Sequence, residues 1–159
     1  MIQGRNTIEI DRIDRAILRT LSAEGRISMT DLAERVGLSK TPVTARVRRL
    51  ESTGVITGYT VQLSAGRLGL EHVAFVEVRL SNTRESALSA FNAAARKVQE
   101  IEECYMIAGG FDYLLKVRTH DIREYRRVLS ESITTLPHVA STSTYVGLES
   151  VKDRGVGQP

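Results

Sequence analysis

Residues 37–54 read GLSKTPVTARVRRLESTG. A glycine opens the stretch and a glycine closes it. Between them Val43, Val47 and Leu50 recur at i, i+4 and i+7, which is one apolar stripe on a helix. Pro42 suits the first helical position, where its missing N–H costs nothing, with Thr41 as the cap and Ser39 as a competing cap. At about 100° per residue the face opposite the stripe carries Thr41, Ala45, Arg48 and Ser52. Thr44 and Arg49 flank that face, and Arg46 lies nearer the apolar edge. Small polar residues at the start and cations further along therefore share one exposed surface.

Upstream the helical pattern continues. Ile13, Ile17 and Leu21 fall at i, i+4 and i+8 behind Asp11, a good N-cap, with Gly25 placed to end the helix. SMTDLAERVG (28–37) starts with Ser28 and carries Asp31 three residues on, a capping-box pattern. Leu32 and Val36 form its stripe, and Gly37 ends it. Three short helices with a glycine-centred turn before the third predict a helix-turn-helix, whose third helix enters the DNA major groove by its N-terminal half.

Downstream of Gly54 the period changes. VITGYTVQL (55–63) is β-branched and aromatic, and reads as a trailing hinge strand. The small residues SAGRLG (64–69) mark a boundary. The expected division is 1–64 for the helix-turn-helix, 65–70 for a linker, 71–152 for a second domain and 153–159 for a frayed tail. In the second domain HVAFVEVRL (72–80) alternates, with Ala74, Val76, Val78 and Leu80 on one face. SALSAFNAAARKV (86–98) places Leu88, Phe91, Ala95 and Val98 on a helical stripe. ECYMIAGG (103–110) and DYLLKVRT (112–119) read as strands joined by a tight Gly-Gly-Phe turn. DIREYRRVLSESITTL (121–136) reads as a helix capped by Asp121 that buries Ile122, Tyr125, Leu129 and Ile133, and VASTSTYVGLE (139–149) as a last strand. The order βαββαβ predicts a four-stranded antiparallel sheet with both helices on one face. Val73, Phe75, Leu114 and Tyr105 then fall on the open face, which a second copy of the chain would cover.

The bulk numbers agree with this division. The 159 residues are 42% hydrophobic and 26% charged, ordinary for a folded protein. The net charge of +3 resides wholly in residues 1–64, which hold 10 Lys+Arg against 7 Asp+Glu; residues 65–159 hold 12 of each. An anionic partner is thus expected for the first part alone. One cysteine, no apolar run of membrane-spanning length and no leader pattern point to a reducing, cytoplasmic setting.

Catalytic chemistry finds little support. His72, His120 and His138 are scattered, Cys104 lies in a strand beside Glu103 and reads as a buried structural thiol, and Ser130 and Ser132 lack a local partner. In AGGFDY (108–113) the backbone N–H groups of Gly109 and Gly110 could take a carboxylate, and Asp112 an ammonium group. Thr142 and Thr144 add hydroxyls from the last strand. Amino acids offer that combination. Two other readings stay open on the residues alone: a sensor that contacts an enzyme through a helical adaptor, and a small ferredoxin-like enzyme.

IDRIDRAILRTLSAEGRIS, then DLAERVGLSKTPVTARVRRLESTGVITGYT, resembles the DNA-binding half of the leucine-responsive regulatory protein (Lrp/AsnC, feast/famine) family of transcription regulators. EIEECYMIAGGFDYLLKVRTHDIREYRRVL and LPHVASTSTYVGLESVK are similar to that family's sensing half. The resemblance covers residues 8–152 and implies an α+β chain, a (winged) helix-turn-helix domain followed by a ferredoxin-like βαββαβ sensor domain. It implies double-stranded DNA as partner, no cofactor, no enzymatic activity, and dimers assembling to octamers on the nucleoid. Ser39, Lys40, Thr41, Thr44, Arg48 and Arg49 are then expected at DNA. Met106, Ala108, Gly109, Gly110, Phe111 and Asp112, with Thr142 and Thr144, are expected at an amino-acid effector. Leucine-responsive members carry an acidic residue at the place of Gly110, so leucine, proline or another small amino acid remains open as effector.

Overall fold

A computed structural model describes residues 8–152. The chain divides into two compact units between Val61 and Gln62. The expected tail, 153–159, lies outside the described residues.

The first unit holds α1 (Arg12–Ala23), α2 (Met29–Val36) and α3 (Lys40–Ser52). Asp11 caps α1 through a closed box: its Oδ1 accepts from the Asp14 N–H at 2.7 Å, and Asp14 Oδ2 accepts from the Asp11 N–H at 3.2 Å. Ser28 caps α2 by accepting from the Asp31 N–H at 3.1 Å, and its hydroxyl donates to the Asp31 carboxylate. Gly37 closes α2 with φ 72°, a left-handed conformation that glycine adopts without strain. Leu32, Val43, Val47 and Leu50 meet Ile17 in a closed core. Only three residues, Gly37 to Ser39, separate α2 from α3, which is helix-turn-helix spacing.

Two local readings change. α3 begins at Lys40 with Ser39, not Thr41, in the capping position, so Pro42 is its third residue rather than its first. Residues 55–61 form no strand. Gly54 turns left-handed at φ 72°, the Ile56 N–H returns to the Leu50 carbonyl at 2.9 Å, and Val55 and Ile56 pack on the helical core. The β-branched side chains serve a helix end, because no neighbouring strand supplies a ladder.

The second unit opens with a one-turn helix, α4 (Ala65–Leu68), where a plain linker was expected. Ser64 caps it and Gly69 ends it at φ 70°. Then follow β1 (His72–Leu80), α5 (Glu85–Ala95), β2 (Ile101–Met106), β3 (Tyr113–Thr119), α6 (Ile122–Val128), a π-helical turn at Leu129–Ile133, and β4 (Val139–Val146). The sheet is antiparallel, in the order β2-β3-β1-β4. Ala74, Val76 and Val78 alternate inward onto Phe91 of α5 and onto Tyr125 and Val128 of α6. Phe91 and Tyr113 lie with ring centroids 4.3 Å apart.

Where Ile122 was expected in the core, it stands 48% exposed in the first turn of α6, and Val128 is buried in its stead. The π turn, with the Thr134 N–H on the Leu129 carbonyl at 2.9 Å, spaces Val128 and Ile133 five apart and keeps both inward. The opposite sheet face carries Phe75, Tyr105 and Tyr145 exposed, with Leu114 half-buried and Val73 more deeply covered.

Candidate nucleic-acid interface and effector turn

α3 presents the residues that the sequence singles out. Ser39, Lys40 and Thr41 are exposed at its start. The Ser39 hydroxyl makes no cap hydrogen bond, so it is left for another partner. The Thr44 hydroxyl donates to the Lys40 carbonyl at 2.8 Å, which leaves its acceptor lone pairs outward. Arg48 is exposed. Arg49 is not similarly placed: its Nη2 donates to Asp14 Oδ2 at 2.5 Å and its Nη1 to the Glu9 carbonyl at 3.4 Å. Arg46, the cation nearer the apolar edge, bridges Asp11 at 2.6 Å and Asp14 at 2.9 Å.

Asp14 is fully buried. Burial pushes its carboxyl up, but the guanidiniums of Arg49 and Arg46 and the Asp11 N–H outweigh burial and hold it below the ordinary aspartate range. Arg46 is in turn held more firmly protonated by Asp11 and Asp14. Sequence reading found Asp11 as a cap and assigned Asp14 nothing. Its only local signal is a polar residue inside the i, i+4 run of α1.

The expected effector residues lie in two places. The β2–β3 connection is a six-residue turn, Ile107 to Asp112, rather than a tight Gly-Gly-Phe turn; the Ile107 N–H reaches the Asp112 carbonyl at 2.8 Å. Met106, the last residue of β2, is exposed, as are Ala108, Gly109 and Gly110 on the turn, with Phe111 and Asp112 half-buried. Asp112 is already partly engaged: its N–H donates to the Val78 carbonyl at 2.9 Å, and Oδ2 accepts from the Leu80 N–H at 2.7 Å. It therefore ties the turn to the end of β1 through Oδ2. Thr142 and Thr144 sit on the far edge strand. The sheet row Met106–Tyr113–Val78–Thr142 spans three strand spacings, about 14 Å. Thr144 also bonds the Tyr125 hydroxyl at 2.5 Å.

Arg79, which sequence reading passed over, lies against the turn. A Cβ added at Gly110 would come 4.0 Å from its Nη2. An acidic side chain at 110 would reach that guanidinium; glycine leaves it open. Cys104, expected to be buried, is exposed on the edge strand β2; desolvation still pushes its thiol up, against a nucleophilic role. Among the described residues no cluster of three metal-ligating side chains occurs, and no helix is long and apolar enough to cross a membrane.

Comparison with known proteins places these features. Residues 10–57 match the family described as winged helix-turn-helix DNA-binding, and residues 73–156 match the Lrp/AsnC ligand binding domain. A proline dehydrogenase transcriptional activator of Rhodobacter capsulatus is 61% identical over 145 residues, covering 91% of this chain and 94% of the relative. A leucine-responsive regulatory protein of Salmonella typhimurium is 48% identical over 144 residues, covering 91% and 88%. The crystal structure of a transcriptional regulator from Neisseria meningitidis in complex with L-methionine superposes with a TM-score of 0.85 at 28% identity, over 95% of this chain and 97% of that one. These relatives are regulators rather than enzymes, and both halves of the chain match in the expected order. The chain belongs to the Lrp/AsnC family of DNA-binding, amino-acid-responsive transcription regulators.

Proposed function

We propose that the chain activates a gene for proline breakdown and takes proline as its effector. The observation that carries this reading is the 61% identity to a proline dehydrogenase activator, against 48% to a leucine-responsive protein. The turn supports it chemically. The N–H groups of Gly109 and Gly110 and the guanidinium of Arg79 can receive a carboxylate, and Asp112 Oδ1 an ammonium group. Ser39, Lys40, Thr41, Thr44 and Arg48 read or grip the duplex, with the hydroxyls nearest the base edges and the cations on phosphate.

A homodimer forms on the open sheet face, and further assembly, to octamers, brings the Thr142 and Thr144 edge of one copy towards the turn of another. That arrangement suits the separation of about 14 Å within one chain. An effector bound at such a contact shifts assembly only by its difference in affinity for the two states. The protein works in the cytoplasm, on the nucleoid.

The test is a gel mobility shift on DNA from upstream of a proline dehydrogenase gene, with each common amino acid in turn. L-proline is expected to alter the shift at the lowest concentration, and Arg79→Gln to weaken that response at least tenfold while DNA binding persists. A response to leucine or methionine with none to proline overturns the effector; no shift at low salt overturns the DNA reading.

A further inference from the structure

On a helical wheel, Arg48 and Arg49 are equivalent. Each lies about 130° from the middle of the Val43–Val47–Leu50 stripe, on opposite sides of the exposed face. Their surroundings differ. Arg48 has no ion-pair or hydrogen-bond partner among the described residues, whereas Arg49 is drawn back onto Asp14 and onto the backbone of Glu9. Arg46 is drawn onto Asp11 and Asp14. Two of the four cations of α3 are thus neutralised from within the same helical unit.

The strength of that hold follows from burial. The Asp14 side chain is 1% exposed, while Arg49 keeps 42% of its side chain in solvent and Arg46 29%. A carboxylate withdrawn from water needs its cations far more than a solvated arginine needs a carboxylate. Arg49 therefore cannot swing to a phosphate without leaving a buried charge short of a partner. Phosphate contacts raise affinity for every sequence alike. An arginine withheld from phosphate lowers that common part, which is then left to Lys40 and Arg48, while discrimination rests with Ser39, Thr41 and Thr44.

We propose that Asp14, seconded by Asp11, sets the sequence-independent affinity for DNA by holding Arg49 and Arg46 off the DNA backbone. The two carboxylates do more than brace α1 against α3. They set how much sequence-independent attraction the recognition helix can exert. This rests on α3 being the DNA-facing helix.

The experiment measures binding of the full-length protein to a mixed-sequence duplex by fluorescence anisotropy across a salt series, for Arg48→Gln, Arg49→Gln and Asp14→Asn. Each lost phosphate contact flattens the slope of log K against log salt by about 0.9, and each gained one steepens it equally. Arg48→Gln is expected to flatten the slope by about 0.9 per bound helix. Arg49→Gln is expected to leave it unchanged. Asp14→Asn, with Arg49 released, is expected to steepen it by about 0.9, which is roughly 3.5-fold tighter binding for each fourfold drop in salt. Flattening by Arg49→Gln equal to that by Arg48→Gln overturns the proposal. So does a folded Asp14→Asn with an unchanged slope. Arg49→Gln leaves Asp14 paired with Arg46, so that arm stands even if Asp14→Asn fails to fold by circular dichroism. An unchanged slope for Arg48→Gln instead overturns the placing of Arg48 on phosphate, and Asp14→Asn then decides the matter of Arg49.

Discussion

On the proposed twofold association through the open sheet face, replacing Phe75 by serine should separate the copies without unfolding the protomer. Phe75 stands on the open sheet face, 39% exposed, opposite Tyr145 on the neighbouring strand; Tyr145 and Tyr105 are 55% and 54% exposed. With side chains of roughly 200 Å² each, the three rings leave on the order of 300 Å² in solvent per copy. A twofold contact would bury that area twice, giving about 15 kcal/mol at ~25 cal/mol per Å², an upper bound set against association costs of about 4–15 kcal/mol. Phe75 alone accounts for about 80 Å², or ~2 kcal/mol, in each copy. Symmetry doubles this to ~4 kcal/mol, which is about a thousandfold in the dissociation constant. Serine is preferred to aspartate because Lys116 is the cross-strand neighbour on β3 and would pair with a carboxylate. Sedimentation velocity over a dilution series reads the shift. Ile122→Ser is the control: Ile122 is 48% exposed, on a helix that packs against the other face. The reasoning is refuted if Phe75→Ser moves the dissociation constant less than about tenfold, or if Ile122→Ser weakens the dimer as much.

Two further outcomes concern the helical unit. Gly37→Ala should cost about 1 kcal/mol in a thermal melt, because φ is 72° there while an added Cβ meets nothing within 4 Å; a neutral result would mean that the turn relaxes freely. Acid should weaken the same unit. The Asp14 carboxyl titrates below its ordinary value of 3.8, so its contribution is complete above that value and is lost as pH falls through the folded value; Asp11 shifts in the same direction. Urea unfolding from roughly pH 5 to pH 2 should show Asp14→Asn losing less stability than the parent, and equal losses would assign the acid sensitivity to other groups.

Features that depend on near neighbours were legible in the sequence. Asp11, Ser28 and Asp121 cap helices within three residues of themselves, and the alternation of HVAFVEVRL gave the inward face of β1 directly. What escaped depends on distant partners. Asp14 and Arg49 lie 35 residues apart, and only the crossing of α1 with α3 brings the carboxylate to the guanidinium. Asp112 reaches Leu80 across 32 residues, so its part in shaping the turn is invisible in AGGFDY. Arg79 owes its interest to the same closure. VITGYTVQL misled because β-branched side chains state a preference, whereas a strand also needs a second strand beside it. The turn of α6 into a π segment has no local mark.

The order β2-β3-β1-β4 also governs where this protein can stick to itself. Its two free edges belong to IEECYM, with adjacent glutamates, and to VASTSTYV, rich in small hydroxyl residues. Such edges recruit further strands poorly. Stickiness is thereby confined to a broad face, which the proposed twofold partner would cover and use up. A sheet built the other way, polar in its face and greasy along its rims, would grow into ribbons without end. The proposed twofold pairing would stop at a count, and a regulator whose output depended on how many copies had gathered would need a sheet that stops.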